Sequence, residues 1–180
     1  INIKDDPLNF VRFVFPWGQK DTPLEHFEGP RKWQEKILRD IAIHIQRNNS
    51  IDMPEMFRLA VGSGRGIGKS ALVAWIILWM LSTRLGSTVI VTANTEQQLR
   101  SRTWAELGKW LTLSIHSHWF QKTATTIKPA AWFEEALKRD LKIDTGYYYA
   151  QAQLWSEENP DAFAGIHSSY GVCLIMDEAS

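Results

Sequence analysis

The sequence carries no net charge: 20 lysines and arginines offset 20 aspartates and glutamates over 180 residues. A protein that coats nucleic acid presents a strongly basic surface, so any DNA contact here has to be local. Cysteine is confined to Cys173, which excludes an internal disulfide. Its neighbours Val172 and Leu174 suit a buried strand in a reducing, cytosolic compartment. No basic stretch, apolar run and small-residue site follow one another as in a secretory signal. The most apolar run, residues 71–81, is shorter than the roughly 20 residues a membrane span needs. Internal repeats and low-complexity tracts are lacking as well. The length suits one α/β domain rather than two of ordinary size.

Tryptophan, by contrast, is plentiful, with nine residues. Trp75, Trp79, Trp104, Trp110, Trp119 and Trp132 fall mostly in amphipathic or apolar segments, which makes them core and interface side chains rather than stacking platforms for bases. Residues 1–30 interleave Pro7, Pro16, Pro23 and Pro30 with Phe10, Phe13, Phe15 and Trp17, and read as an irregular arm wrapped on the domain. From 31 to 47, Trp33, Ile37, Leu38, Ile41 and Ile45 recur at helical spacing. A polar loop over 48–55 precedes an expected strand at 56–61. A helix is predicted over 69–84, closed by Gly86, and then a β-branched strand over 87–93. Asn94 or Thr95 can cap the next helix, which runs through Leu99, Trp104 and Leu107 to about residue 113. Residues 114–165 are the least regular, with a short helix near 131–139 and one or two strands within 141–154. A last apolar run, 171–176, ends in acids. This alternation predicts an open α/β domain over 31–180, its mostly parallel sheet flanked by helices and its ligands at the carboxyl edge.

The most informative stretch lies between the expected strand and the helix at 69: Gly62-Ser63-Gly64-Arg65-Gly66-Ile67-Gly68-Lys69-Ser70. Glycines let successive backbone N–H groups turn inward on an anion, and the following helix directs its N-terminal dipole at the same charge. Lys69 would reach the β- and γ-phosphates, and the Ser70 hydroxyl would ligate Mg²⁺. The usual pattern asks for glycine where Ser63 stands, with Gly62 beside it; Gly64, Gly66 and Gly68 still supply a permissive backbone. The nucleotide contacts expected are therefore Ser63, Gly64, Gly66, Ile67, Gly68, Lys69 and Ser70.

The second element is Val172-Cys173-Leu174-Ile175-Met176 followed by Asp177-Glu178, a buried strand that delivers two carboxylates at its open end. Asp177 would hold Mg²⁺, directly or through water, and Glu178 would orient the attacking water as general base. Acids after a strand are commonplace on their own; together with the phosphate loop they form Walker B to its Walker A.

The Trp33-Gln34 pair, the loop Gly64 through Ser70, the strand Val89-Ile90-Val91-Thr92-Ala93-Asn94-Thr95 and the run Ala162-Phe163-Ala164-Gly165-Ile166-His167 before Asp177-Glu178-Ala179-Ser180 resemble the large terminase subunits of tailed phages and prophages over nearly the whole chain. The resemblance implies a P-loop NTPase fold of the RecA-like, ASCE type and an Mg²⁺-dependent ATPase that drives double-stranded DNA into a procapsid. It implies portal protein and small terminase subunit as partners, a homo-oligomer assembled on the portal, the host cytoplasm as location and no membrane association. It assigns adenine reading to Gln34, whose carboxamide can both donate and accept. It assigns Arg65 to the γ-phosphate charge in the transition state, beside Lys69 and Glu178. It also turns the segment after Thr92 toward nucleic acid, where Arg100, Arg102 and Lys109 supply local positive charge. The coupling motif and nuclease domain that follow Walker B in such proteins are missing from this sequence, so no nuclease activity and only weak turnover are expected from it.

Two other readings remain open at this point: a superfamily 2-like helicase or translocase ATPase, and a nucleotide-binding assembly module without turnover. His116 and His118 lack the cysteine or carboxylate companions of a zinc site.

Overall fold

The computed structural model describes residues 2–49, 68–93, 95–154 and 171–177. Among these residues the architecture is α/β, with a five-stranded mixed sheet flanked by helices.

Helix α1 (Pro7–Val14) starts where Asp6 accepts a hydrogen bond from the Asn9 N–H at 3.1 Å and Pro7 occupies the first turn. A side-chain cap followed by a proline with helical φ is a strong start signal, so the first thirty residues are not the wholly irregular arm that their prolines led us to expect. Leu8, Phe10, Val11 and Val14 are buried. Helix α2 (Lys32–Asn48) packs on α1 and buries Gln34, Leu38, Ile41 and Ala42. Helix α3 (Lys69–Thr83) is apolar on nearly every side, and Leu72, Trp75, Ile77, Leu78 and Leu81 are almost wholly buried. A helix without a polar face has to be surrounded, and α3 touches α1 as well as the sheet.

Two side chains near the end of α3 tie down the N-terminal segment. The Trp79 indole N–H donates to the carbonyls of Ile3 (3.2 Å) and Lys4 (3.1 Å). The Arg84 guanidinium bonds the Lys4 carbonyl (2.6 Å) and the Asp5 carboxylate (3.1 Å) while lying 4.3 Å over the Trp79 ring.

Strand β1 (Thr88–Ala93) is buried along its whole length. The following helix begins with Thr95, whose hydroxyl accepts from the Gln98 N–H at 3.1 Å. It runs as α4 (Glu96–Gln98), widens into a π-helical turn over Leu99–Trp104, and continues as α5 (Ala105–Leu113). The wider turn brings Leu99 and Trp104, five residues apart, onto one buried face. A hairpin, β2 (Phe120–Lys122) and β3 (Thr126–Pro129), comes next, then α6 (Ala131–Asp140), β4 (Tyr149–Ala152) and β5 (Val172–Asp177).

The strand order is β2-β3-β4-β1-β5. Strand β1 is parallel to both β4 and β5, whereas β2–β3 and β3–β4 are antiparallel. The sheet is therefore mixed where a mostly parallel one was expected. The difference comes from the hairpin, a local pairing that needs no crossover helix. The Trp104 indole N–H fastens its turn by donating to the Thr123 carbonyl at 2.9 Å.

His116 sits behind this frame and is 6% exposed. Its Nε2 meets the Ser82 hydroxyl at 2.6 Å, and Phe10, Trp119 and Phe120 surround the ring. Burial, followed by repulsion from His118, pushes its pKa down to about 4 from the ordinary 6.5. Below pH 6.5 the unfolded chain takes up a proton here that the folded chain refuses until about pH 4. Stability should thus fall by about 3 kcal/mol across that window. Urea unfolding between pH 7 and pH 4 checks this: His116→Gln should flatten the dependence, and an equal slope in both proteins would contradict it. His118 stacks on Trp132 at 5.8 Å. Among the described residues no group of three His, Cys, Asp or Glu could hold a metal ion.

Candidate phosphate-binding site

The site is built around the start of α3. Gly68, its N-cap, has φ +80° and ψ +20°, the left-handed conformation that glycine adopts without cost. Lys69 and Ser70 follow as the first two helical residues, both half-buried. Backbone donors and a positive dipole end make such a start a ready anion site, and a lysine side chain adds a full charge.

Gln34 reaches this point from 34 residues earlier. It is 3% exposed on the third residue of α2. Its Oε1 accepts from the Arg31 N–H at 2.8 Å, as a glutamine at that position does in a capping box. Its Nε2 donates to the Gly68 carbonyl at 2.8 Å. That carbonyl also accepts from the Leu72 N–H at 3.1 Å, so the last loop residue is held by α3 and α2 together. A Cβ at position 68 would stand 2.7 Å from the Gln34 nitrogen, so both conformation and space call for glycine. The Trp33 ring lies against the same spot, 4.0 Å from that Cβ position, and its buried indole N–H has no hydrogen-bond partner among the described residues.

The second half of the site lies on the sheet. Asp177 ends β5 in register with Ala93, at the carboxyl end of the parallel strand β1. The backbone thus brings Asp177 to the open edge, but on a strand whose Val172, Leu174 and Met176 are about half exposed, where a buried strand was expected. One residue before Ala93, the buried Thr92 hydroxyl has no hydrogen-bond partner among the described residues. Burial raises the Cys173 thiol to about 11, which keeps it protonated and unreactive at neutral pH. Ser63, Gly64, Arg65, Gly66 and Ile67, the expected strand at 56–61 and Glu178 lie outside the described residues.

Comparison with protein-family models, with curated proteins and with solved structures finds no match.

The three cations expected to face nucleic acid are all exposed on the helix after β1. Arg100 pairs with Glu96 at 2.9 Å and Lys109 lies 5.5 Å over the Trp110 ring, while Arg102 belongs to the π-helical turn. Exposed pairs of this kind hold a side chain only weakly, about 0.5 kcal/mol each. No helix among the described residues is long and apolar enough to cross a membrane.

Sequence reasoning missed the Gln34–Gly68 link and the part that Trp33 plays beside it. The signal available was the position of Gln34, three residues after the residue that precedes the helix, where a glutamine turns back on the backbone. Nothing local in the sequence announces the partner 34 residues away.

Proposed function

We propose that this chain is the ATP-binding and hydrolysing motor domain of a viral DNA-packaging terminase large subunit. The observation that carries the reading is the junction itself: a glycine-rich run ends in left-handed Gly68 and opens directly into Lys69-Ser70 at the start of a buried helix. Parallel pairing of β1 with β5, which sets Asp177 at the sheet's open edge, adds support.

In this reading the loop from Ser63 to Gly68 wraps the phosphates with its N–H groups, and Lys69 neutralises charge on the β- and γ-phosphates. The Ser70 hydroxyl and the Asp177 carboxylate would hold Mg²⁺; hard oxygen donors are the set this ion takes. When bound, the ion withdraws charge from the β- and γ-phosphate oxygens. Glu178 accepts a proton from water as the water oxygen bonds to the γ-phosphorus. The bond from that phosphorus to the β–γ bridging oxygen breaks, and its electron pair leaves with ADP. Arg65 spreads over the charge that develops on the transferring group. Catalysis then rests on positioning and electrostatics.

Double-stranded DNA, portal protein and small terminase subunit are the partners this function brings, with a homo-oligomer on the portal in the host cytoplasm as the working form. Arg100, Arg102 and Lys109 are the candidate DNA contacts, because each is an exposed cation on the helix that follows β1.

Phosphate release from ATP tests the proposal. Slow hydrolysis that stops when divalent ions are chelated and rises with double-stranded DNA supports a DNA-dependent motor. Bound nucleotide with no release under any of these conditions would make the chain a nucleotide-binding assembly module.

A further inference from the structure

The Gln34 carboxamide is already engaged on both sides by backbone: its oxygen by the Arg31 N–H and its nitrogen by the Gly68 carbonyl, each at 2.8 Å. Reading an adenine edge takes a donor and an acceptor presented together to the base. Here donor and acceptor are each spent on a different segment of chain, inside the protein, on a side chain that is 3% exposed. The Trp33 ring lies beside Gly68 as well, which keeps water from the contact and strengthens it.

The Gly68 carbonyl is one edge of the Gly68–Lys69 peptide. A trans peptide is planar, and its N–H points opposite to its C=O. Whatever fixes the Gly68 oxygen therefore fixes the direction of the Lys69 N–H, one of the first amides of α3, where an anion would sit. Without Gln34, the Leu72 N–H would be the one partner left to that carbonyl among the described residues, and the peptide would be free to tilt at the helix end. The second donor, from a different helix, narrows its range. A site whose donors are aimed before the anion arrives loses less entropy and needs less reorganisation on binding.

We infer that Gln34 is a positioning residue for the phosphate loop, holding the Gly68–Lys69 peptide in its anion-binding orientation, and that it acts on the polyphosphate whatever base is attached. The inference rests on the phosphate-loop reading above and gives Gln34 a different task from base selection.

Titration calorimetry of the full chain with Mg²⁺ and tripolyphosphate, ATP or GTP tests it, comparing the native protein with Gln34→Met, which keeps the length and removes both polar atoms. All three affinities should fall by the same factor, about tenfold for one buried hydrogen bond. A loss confined to ATP, with tripolyphosphate unchanged, would overturn the inference and make Gln34 a reader of adenine while leaving the loop reading intact. Absence of binding by the native protein to all three ligands would refute the loop reading itself, and this inference with it. Thermal melting reports whether Gln34→Met folds. If it does not, Gln34→Glu keeps the acceptor for the Arg31 N–H, and ATP and GTP, which carry the same triphosphate, are compared with each other because the new charge repels both alike. An equal factor for ATP and GTP again supports positioning, and an ATP-only loss again refutes it.

Discussion

Lys69→Ala should weaken ATP binding on the order of 10²-fold. The substitution removes an ammonium from the first helical residue of the proposed anion site, directly after the left-handed Gly68. A charged hydrogen bond contributes about 1.5–3 kcal/mol, and more where the surroundings are half-buried and two phosphates share the cation. Alanine is the best helix former, so α3 should lose nothing by it. Thermal stability without nucleotide should therefore stay close to the native value while affinity collapses. Titration calorimetry with ATP and Mg²⁺ on both proteins measures it. Unchanged affinity would show that Lys69 does not face a phosphate.

Glu178→Gln should give the opposite pattern. Glutamine keeps the size and the ability to orient a water but cannot take its proton, and a general base contributes about 10²- to 10⁴-fold. Nucleotide should bind as before while phosphate release falls by about that factor. The paired result matters more than either half, because a change in binding alone would place Glu178 on the bound nucleotide rather than on the attacking water. Turnover retained at the native rate would move the base to another residue.

Lys69 and Glu178 are proposed from the sequence because a phosphate loop and an acidic strand end are local patterns; what the structure itself reproduces is the start of α3 at Lys69. The same holds for α2, α3, β1, α6 and β5, each carried by a periodicity or a β-branched run that the structure reproduces to within a few residues. Four features were harder. Helix α1 was hidden among prolines, although Asp6-Pro7 marks its start. The hairpin β2–β3 is too short for an alternation to show, and its turn is rich in threonine rather than in the asparagine and glycine that signal tight hairpins. The sheet became mixed for that reason. The π-helical turn rests on a five-residue spacing between Leu99 and Trp104, which an analysis by α-helical period passes over.

Gln34 is the most instructive residue. Its glutamine identity and its place on an amphipathic helix are plain from the sequence, and its chemistry fits either a base or a backbone. Which of the two it meets depends on a helix packing that brings position 34 against position 68, and that is a property of the tertiary fold. The buried hydroxyl of Thr92 and indole N–H of Trp33, without partners among the described residues, belong to the same class. Burial of a polar atom is set by what packs around it, and no pattern along the chain records it.

If the junction at Gly68-Lys69-Ser70 binds a nucleotide through its phosphates, affinity must depend on how many phosphates the nucleotide carries. The most direct measurement is titration of the native chain, in the presence of Mg²⁺, with AMP, ADP and ATP in turn. The account predicts affinity that climbs from AMP to ADP to ATP, since the contacts at Lys69 and Ser70 are made to the β- and γ-phosphates. Equal affinity for all three, or no binding of any, would contradict it.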